Sequence, residues 1–310
     1  VSGFGSINED LVSHARQDSW DYGTCQRPDG SFYGHGGVKC HKGVESESPS
    51  KDQVKRVGRA LNSSFEDFSK EFGASRQAIM DKSAEEAVKR IEGNSLSKLN
   101  KFDVQRAIAA KRIVGVAEEI EALKALGNEG KSAIASIKGT KEFFDDMKWR
   151  LVNERMMISE GTLRMAWEGT DLNGKARDIF PGGKYGQSLR VVTEHPVPTK
   201  VAKSKYLESG IRDRKGTIEF FGKNNFLSLT SAPEDAKINN AGWKSKMPDS
   251  KKVFSRYDDS KVKIFPLKTS SGMVAGSNPN AVRSQIFDSA QGAKANGSSF
   301  EEWAATQIDI

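Results

Sequence analysis

Apolar residues return every three or four positions through much of the first half of the chain. Val54, Val57 and Leu61 share one helical face, and Phe65, Phe68 and Phe72 share the next. Gly73 is expected to end that second segment. Ala78 to Ile91 then forms another, carrying Ile79, Ala84, Val88 and Ile91. The clearest stripe comes next: Val104, Ile108, Ile113, Val116, Ile120 and Leu123, with Asp103 as N-cap and Gly127-Asn128 as the stop. Ala133 to Ile137 and Glu142 to Arg164 are two further helical segments, the latter with Phe143, Met147, Leu151, Ile158 and Met165 toward one side. No proline lies between Pro49 and Pro181, as suits a run of helices whose interiors proline would break. Residues 52–168 are therefore expected to form an antiparallel helical domain.

After Thr170 the helical period fades, and Gly, Pro and Asn become frequent. Short runs with strand character replace it: Ser188 to Thr193, Thr217 to Phe221, Asn225 to Thr230 and Lys261 to Leu267. In the last of these, alternation sets Val262 and Ile264 on one face and Lys261 and Lys263 on the other, as in a half-exposed strand. Ala281 to Ala290 and Ser299 to Gln307 read as short helices, the second N-capped by Ser299 with Glu301 and Glu302 in its first turn. Residues 170–310 are expected to be an α+β domain, mostly β.

Both cysteines lie near the start, in CQRPDGSFYGHGGVKC from Cys25 to Cys40. Pro28-Asp29-Gly30 and Gly34-His35-Gly36-Gly37 supply turn chemistry between three short strands. The result is a β-meander too small to bury a core unaided. Cys25, His35, Cys40 and His41 have the types that bind zinc. Neighbouring Cys40 and His41 would point to opposite faces of a strand, however, and there is no CxxC, so no metal is expected. A Cys25–Cys40 disulfide and a pair of reduced, partly buried thiols both remain open. Residues 1–50 are thus an N-terminal arm with a Cys-framed meander, joined to the helical region by the polar linker ESESPSKD. The expected fold class is α+β: a small N-terminal β-meander, a helical middle domain and a β-rich C-terminal domain.

The composition is polar for a globular protein of 310 residues, with 36% hydrophobic and 29% charged positions, so the core must be divided among modest elements. The net charge of +7 is diffuse, with no run of five Lys/Arg. It favours polyanionic partners in general and carries no zinc-finger, basic-zipper or RNP signature. No run of about 18 apolar residues suggests a membrane span, and no basic, apolar leader is visible. P-loop, GxGxxG, HExxH and GxSxG motifs are all missing.

Three resemblances extend the picture. Arg27, Pro28, Asp29, Gly30, Ser31, Tyr33, Gly34, Gly36, Gly37, Cys40, Lys42 and Gly43 fit a short module that resembles one near the N-termini of some proteins of cyanobacterial viruses. It covers about 20 residues and implies a phage origin. RMMISEGTLRMAW, Arg155 to Trp167, is similar to a glutamate-bearing helix of Mu-type minor head proteins, with Ile158, Glu160 and Arg164 in the corresponding places. Gly161 interrupts that helix, and Ile-Ser stands where Arg-Thr is usual. NNFLSLTSAPEDA, Asn224 to Ala236, resembles the Ser-Thr-Ser strand of ADP-ribosyltransferases. That resemblance implies NAD as cofactor, Arg190 holding a phosphate, and Ser228, Thr230 and Ser231 bracing the strand and the nicotinamide ribose. It also requires a late-strand glutamate to stabilise charge on that ribose. The late candidates, Glu301 and Glu302, are adjacent and expected to be helical.

The function expected from all this is that of a non-enzymatic phage virion protein of the head, neck or interior. It would be made in the host cytoplasm, hold no cofactor, and contact other virion proteins and packaged DNA. The alternative is an ADP-ribosyltransferase-like effector using NAD.

Overall fold

The computed structural model describes residues 48–130, 149–170, 172, 191–268 and 279–310. The chain divides into two compact units, Val1–Ser48 and Pro49–Ile310, and the described helices and strands belong to the second. The Cys25–Cys40 meander, the segment Ala133 to Ile137 and Arg190 lie outside the described residues.

Three long helices open the unit. Helix α1 (Lys51–Asn62) starts at Ser50, whose hydroxyl accepts from the Gln53 N–H while the Gln53 side chain accepts from the Ser50 N–H. Helix α2 (Phe65–Glu92) is N-capped by Ser64 and runs straight through Gly73 as one element. The expected break at Gly73 is absent because the flanking turns carry Phe72 and Arg76, both buried. Their packing outweighs the roughly 1 kcal/mol that glycine costs inside a helix. Helix α3 (Lys101–Lys124) is capped by Asn100 rather than Asp103. Asp103 sits in its first turn, wholly buried, where it meets arginines instead.

Strand β1 (Met157–Ser159) and helix α4 (Glu160–Glu168) take up the end of the region where Glu142 to Arg164 suggested one helix, so α4 begins only at Glu160. Strand β2 (Val191–Glu194) leads into helices α5 (Thr199–Glu208) and α6 (Arg214–Asn224). The run Thr217 to Phe221 is therefore helical, not a strand. Asp213 caps it by accepting from the Gly216 N–H, and Thr217, Ile218, Phe221 and Gly222 form its buried face. Gly222 lies so close to α2 that a Cβ there would sit 2.6 Å from the Ala84 Cβ. That packing overrides the strand preference of Thr, Ile and Phe.

Strand β3 (Ser228–Ser231) and helix α7 (Ala232–Asn240) follow, then helix α8 (Ser255–Asp259), strand β4 (Ile264–Pro266), and helices α9 (Pro279–Ala295) and α10 (Phe300–Gln307). The fold is mixed helix and sheet. Among the described residues the part after 170 holds six helices and three short strands, so it is helix-rich where a mostly β region was expected. Among the described residues Gly210, Gly242 and Gly297 stand just after helices, whereas Gly216, Gly222, Pro233 and Gly292 lie inside them.

The four strands form one sheet in the order β2-β3-β1-β4. β1 and β3 run parallel, with Ile158 opposite Leu229; β2–β3 and β1–β4 are antiparallel. One face sets Ile158, Leu229 and Phe265 into a core with Leu61, Phe68 and Trp303. Met157 and Ile264 join a second core with Met80, Phe226, Phe254 and Tyr257. Helices cover both faces, and β4 is buried throughout instead of half exposed. Lys263 tolerates that burial because its ammonium donates to the Leu61 and Ser63 carbonyls, each at 2.7 Å, where α1 ends. A cation at a helix C-terminus meets the negative end of the helix dipole.

Candidate functional site around the hydroxyl-rich strand

The strand Ser228-Leu229-Thr230-Ser231 is the place where sequence chemistry and structure meet. Alternation sends Leu229 into the apolar core and turns Ser228 and Thr230 the other way. Both hydroxyls are fully buried. They converge on the Tyr257 hydroxyl, 2.8 Å from Ser228 Oγ and 3.3 Å from Thr230 Oγ1. The antiparallel register sets Glu194 of β2 directly opposite Ser228. The Tyr257 hydroxyl donates to Glu194 Oε1, and Thr230 Oγ1 donates to the same oxygen at 3.5 Å. On the other side of the carboxylate, Arg256 Nη2 lies 3.3 Å from Oε2. Arg256 Nη1 donates to the His195 carbonyl at 3.0 Å, which ties α8 to the turn after β2.

Burial raises the pKa of Glu194, against the opposing pull of Arg256 and the Tyr257 hydrogen bond. Burial also raises the Tyr257 phenol well above its ordinary value, helped by the neighbouring carboxylate charge. Tyr257 therefore keeps its proton and serves as a donor. The cluster is a network of donors and acceptors around one carboxylate, in which Arg256 Nε is buried without a hydrogen-bond partner.

Ser231 belongs to a second cluster, centred on Glu234. This carboxylate accepts from the Ser159 and Ser231 hydroxyls, from Ser231 N at 3.2 Å and from Gly161 N at 2.9 Å. It completes the capping box of α7 and also satisfies an N–H in the first turn of α4. Burial raises its pKa, while these hydrogen bonds oppose the rise. Gly161 does not interrupt α4; it is the second residue of that helix. A Cβ there would lie 2.6 Å from both Glu234 Oε2 and Ser231 Oγ, so only glycine lets the carboxylate approach. Of the residues compared with the Mu-type helix, Ile158 lies on β1, and Glu160 and Arg164 form an i,i+4 pair at 2.7 Å.

The structure thus brings Ser228 and Thr230 together, sets Ser231 in a neighbouring cluster, and leaves Arg190, Cys25 and Cys40 outside the described residues. Glu301 and Glu302 stand in the first turn of helix α10, far in role from a strand glutamate: Glu302 closes a capping box with Ser299. Glu194, Arg256, Tyr257 and Glu234 escaped the sequence reading. Ser231-Ala232-Pro233-Glu234 did carry a readable capping-box spacing. Glu194 continued the alternation of Val192, whereas nothing in the sequence pointed from Tyr257 to a strand some thirty residues earlier.

Among the described residues no three His, Cys, Asp or Glu side chains gather as metal ligands, and no helix is long and apolar enough to cross a membrane. A concavity of about 260 Å³ lies away from the hydroxyl strand, between the start of α1 and the end of α10, where Ser50, Arg56, Lys268 and Asp309 line it. No protein-family model matches this chain, and no curated protein or solved structure matches it.

Proposed function

We propose that this chain is a virion-associated structural or interaction protein of a phage, working through contacts with other virion proteins and with packaged DNA. The observation that supports it most is the internal engagement of the hydroxyl strand. Ser228, Thr230, Tyr257, Glu194 and Arg256 answer one another's hydrogen bonds inside the fold. Groups arranged in this way brace a sheet so that the outer surface can do the work. The Cys-framed module supplies the phage connection. The protein should then occur in purified particles in fixed stoichiometry. Mass spectrometry of particles beside infected-cell lysate tests this, and its absence from particles would remove the reading.

One observation keeps a second reading in view. Glu194 places a carboxylate beside the strand that resembles the Ser-Thr-Ser strand of ADP-ribosyltransferases. In that reading the chain is an effector that uses NAD, with Arg190 on the phosphate. Incubation with labelled NAD and host lysate tests it: label transfer that disappears in both Arg190→Ala and Glu194→Gln would favour the enzyme, and no transfer would end it.

A further inference from the structure

The surface between α7 and α8 carries a concentration of positive charge that the internal networks leave unused. Residues 243–252 read Trp-Lys-Ser-Lys-Met-Pro-Asp-Ser-Lys-Lys. Lys244, Lys246, Lys251 and Lys252 are all exposed. Asp249 is the sole acid in the stretch. It is engaged by its own segment: its carboxylate accepts from the Lys251 N–H at 2.9 Å, and its carbonyl accepts from the Ser255 hydroxyl at 2.8 Å. Of the four lysines, only Lys252 reaches an acid among the described residues, at 3.9 Å from Asp249.

The segment is held in place although it contains neither helix nor strand. Gly242, at φ 88°, ends α7, and the Trp243 N–H turns back to the Ile238 carbonyl. The Trp243 indole N–H donates to Asp259 at 2.6 Å. Met247 and Val253 pack on the core that contains Tyr206 and Phe221. Lys205 of α5 lies within electrostatic reach of Asp249, and Lys237 of α7 is exposed just before the segment. A fixed backbone therefore carries four exposed lysines within one short segment.

We propose that this lysine-rich surface, Lys244, Lys246, Lys251 and Lys252 with Lys237 at its margin, binds the phosphate backbone of double-stranded DNA without sequence preference. The inference deepens the virion reading, on which it rests, by naming where nucleic acid would lie. Three features select duplex DNA. The cations are lysines, point charges suited to phosphate, and no arginine fork that would read a guanine edge occurs between 243 and 252. Trp243 is half-buried, with its indole N–H held by Asp259 and its ring packed on the apolar core that includes Phe254, so it is tied to the fold and poorly placed for the base stacking that single strands use. Duplex DNA also has a dense linear charge, about one per 1.7 Å of axis, which rewards a compact group of lysines.

Fluorescence anisotropy of the whole chain with a labelled duplex of arbitrary sequence, across a salt series, tests this. The wild type should bind with a log–log salt slope that falls by about 3.6 in the quadruple variant Lys244→Ala, Lys246→Ala, Lys251→Ala, Lys252→Ala, each phosphate contact contributing about 0.9. Affinity at about 0.1 M salt should drop at least about tenfold. The corresponding four Lys→Arg changes should retain binding. Removing four exposed lysines elsewhere, Lys51, Lys55, Lys70 and Lys111, should lower affinity much less. Equal losses in the two alanine variants would overturn the proposal, as would tighter binding of single strands. Displacement of DNA by polyglutamate at equal charge concentration would also overturn it and assign the surface to an acidic protein. Because the measurement uses purified protein, its failure leaves the particle inventory standing, and absence from particles leaves the DNA result standing.

Discussion

The Glu194 carboxylate is the pivot of the buried cluster, and its protonation has a definite sign. Burial raises its folded pKa above the ordinary 4.5, so the folded protein holds that proton more tightly than the unfolded chain does. The resulting stabilisation is complete below 4.5 and is lost as pH rises through the raised folded value. Wild type should therefore gain stability relative to Glu194→Gln as pH is lowered from neutrality toward about 5. Urea midpoints of the two proteins across that range check this, and the opposite trend would show a carboxylate held ionised by Arg256. Gly161 gives a steric counterpart. Gly161→Ala forces a methyl group onto Glu234 and Ser231 and should cost about 1–3 kcal/mol, read as a lowered unfolding midpoint.

Helices α2 and α3 are joined by charge as well as by apolar contact. Arg90 donates to both oxygens of Asp103, at 2.6 and 2.9 Å, and also to Glu154. Arg106 donates to Glu154 at 2.6 Å and to the Val152 carbonyl at 2.8 Å. Burial lowers the Arg106 pKa, with Glu154 and Asp103 opposing, while Asp103 holds the Arg90 charge in place. Asp103→Ala strips one acid from two arginines and should cost about 3 kcal/mol in urea unfolding. Asp103→Asn should recover part of that loss. The stripes on α1 and on the start of α2 follow from spacing alone, as does the Ser299 cap; on α3 the buried face runs instead through Ala107, Ala110, Ile113, Ala117 and Ile120, and Ile108 is 45% exposed, because small alanines let the neighbouring helices approach. Asp103 looked like a cap because a cap and the third helical residue both favour acids; only the neighbouring Arg90 and Arg106 tell them apart. Thr217 to Phe221 looked like a strand because five residues hold too little of a period to separate strand from helix. Glu194 and Tyr257 were illegible for a simpler reason: register and the position of α8, set by tertiary packing, bring them together.

Residues from both halves of the 49–310 unit build its sheet, and this has a consequence for the intact protein. β1 lies between β3 and β4, so Met157 to Ser159 form backbone ladders only with residues from 227 onward. The α2–α6 contact at Ala84 and Gly222 and the α1–α10 packing tie the halves again. A fragment of residues 52–168 should therefore lack fixed tertiary structure, giving helical far-ultraviolet dichroism but poorly dispersed amide resonances. A well-dispersed spectrum from that fragment would show that the helical half folds alone. In the virion reading the hydroxyl strand braces this shared sheet and serves no ligand. The most direct test is the urea-unfolding midpoint of the double variant Ser228→Ala, Thr230→Val. If both hydroxyls serve the internal network, the variant should lose about 1–3 kcal/mol of stability. An unchanged or raised midpoint would contradict that role, because residues kept for a ligand rather than for the fold are those whose removal leaves stability intact or improves it.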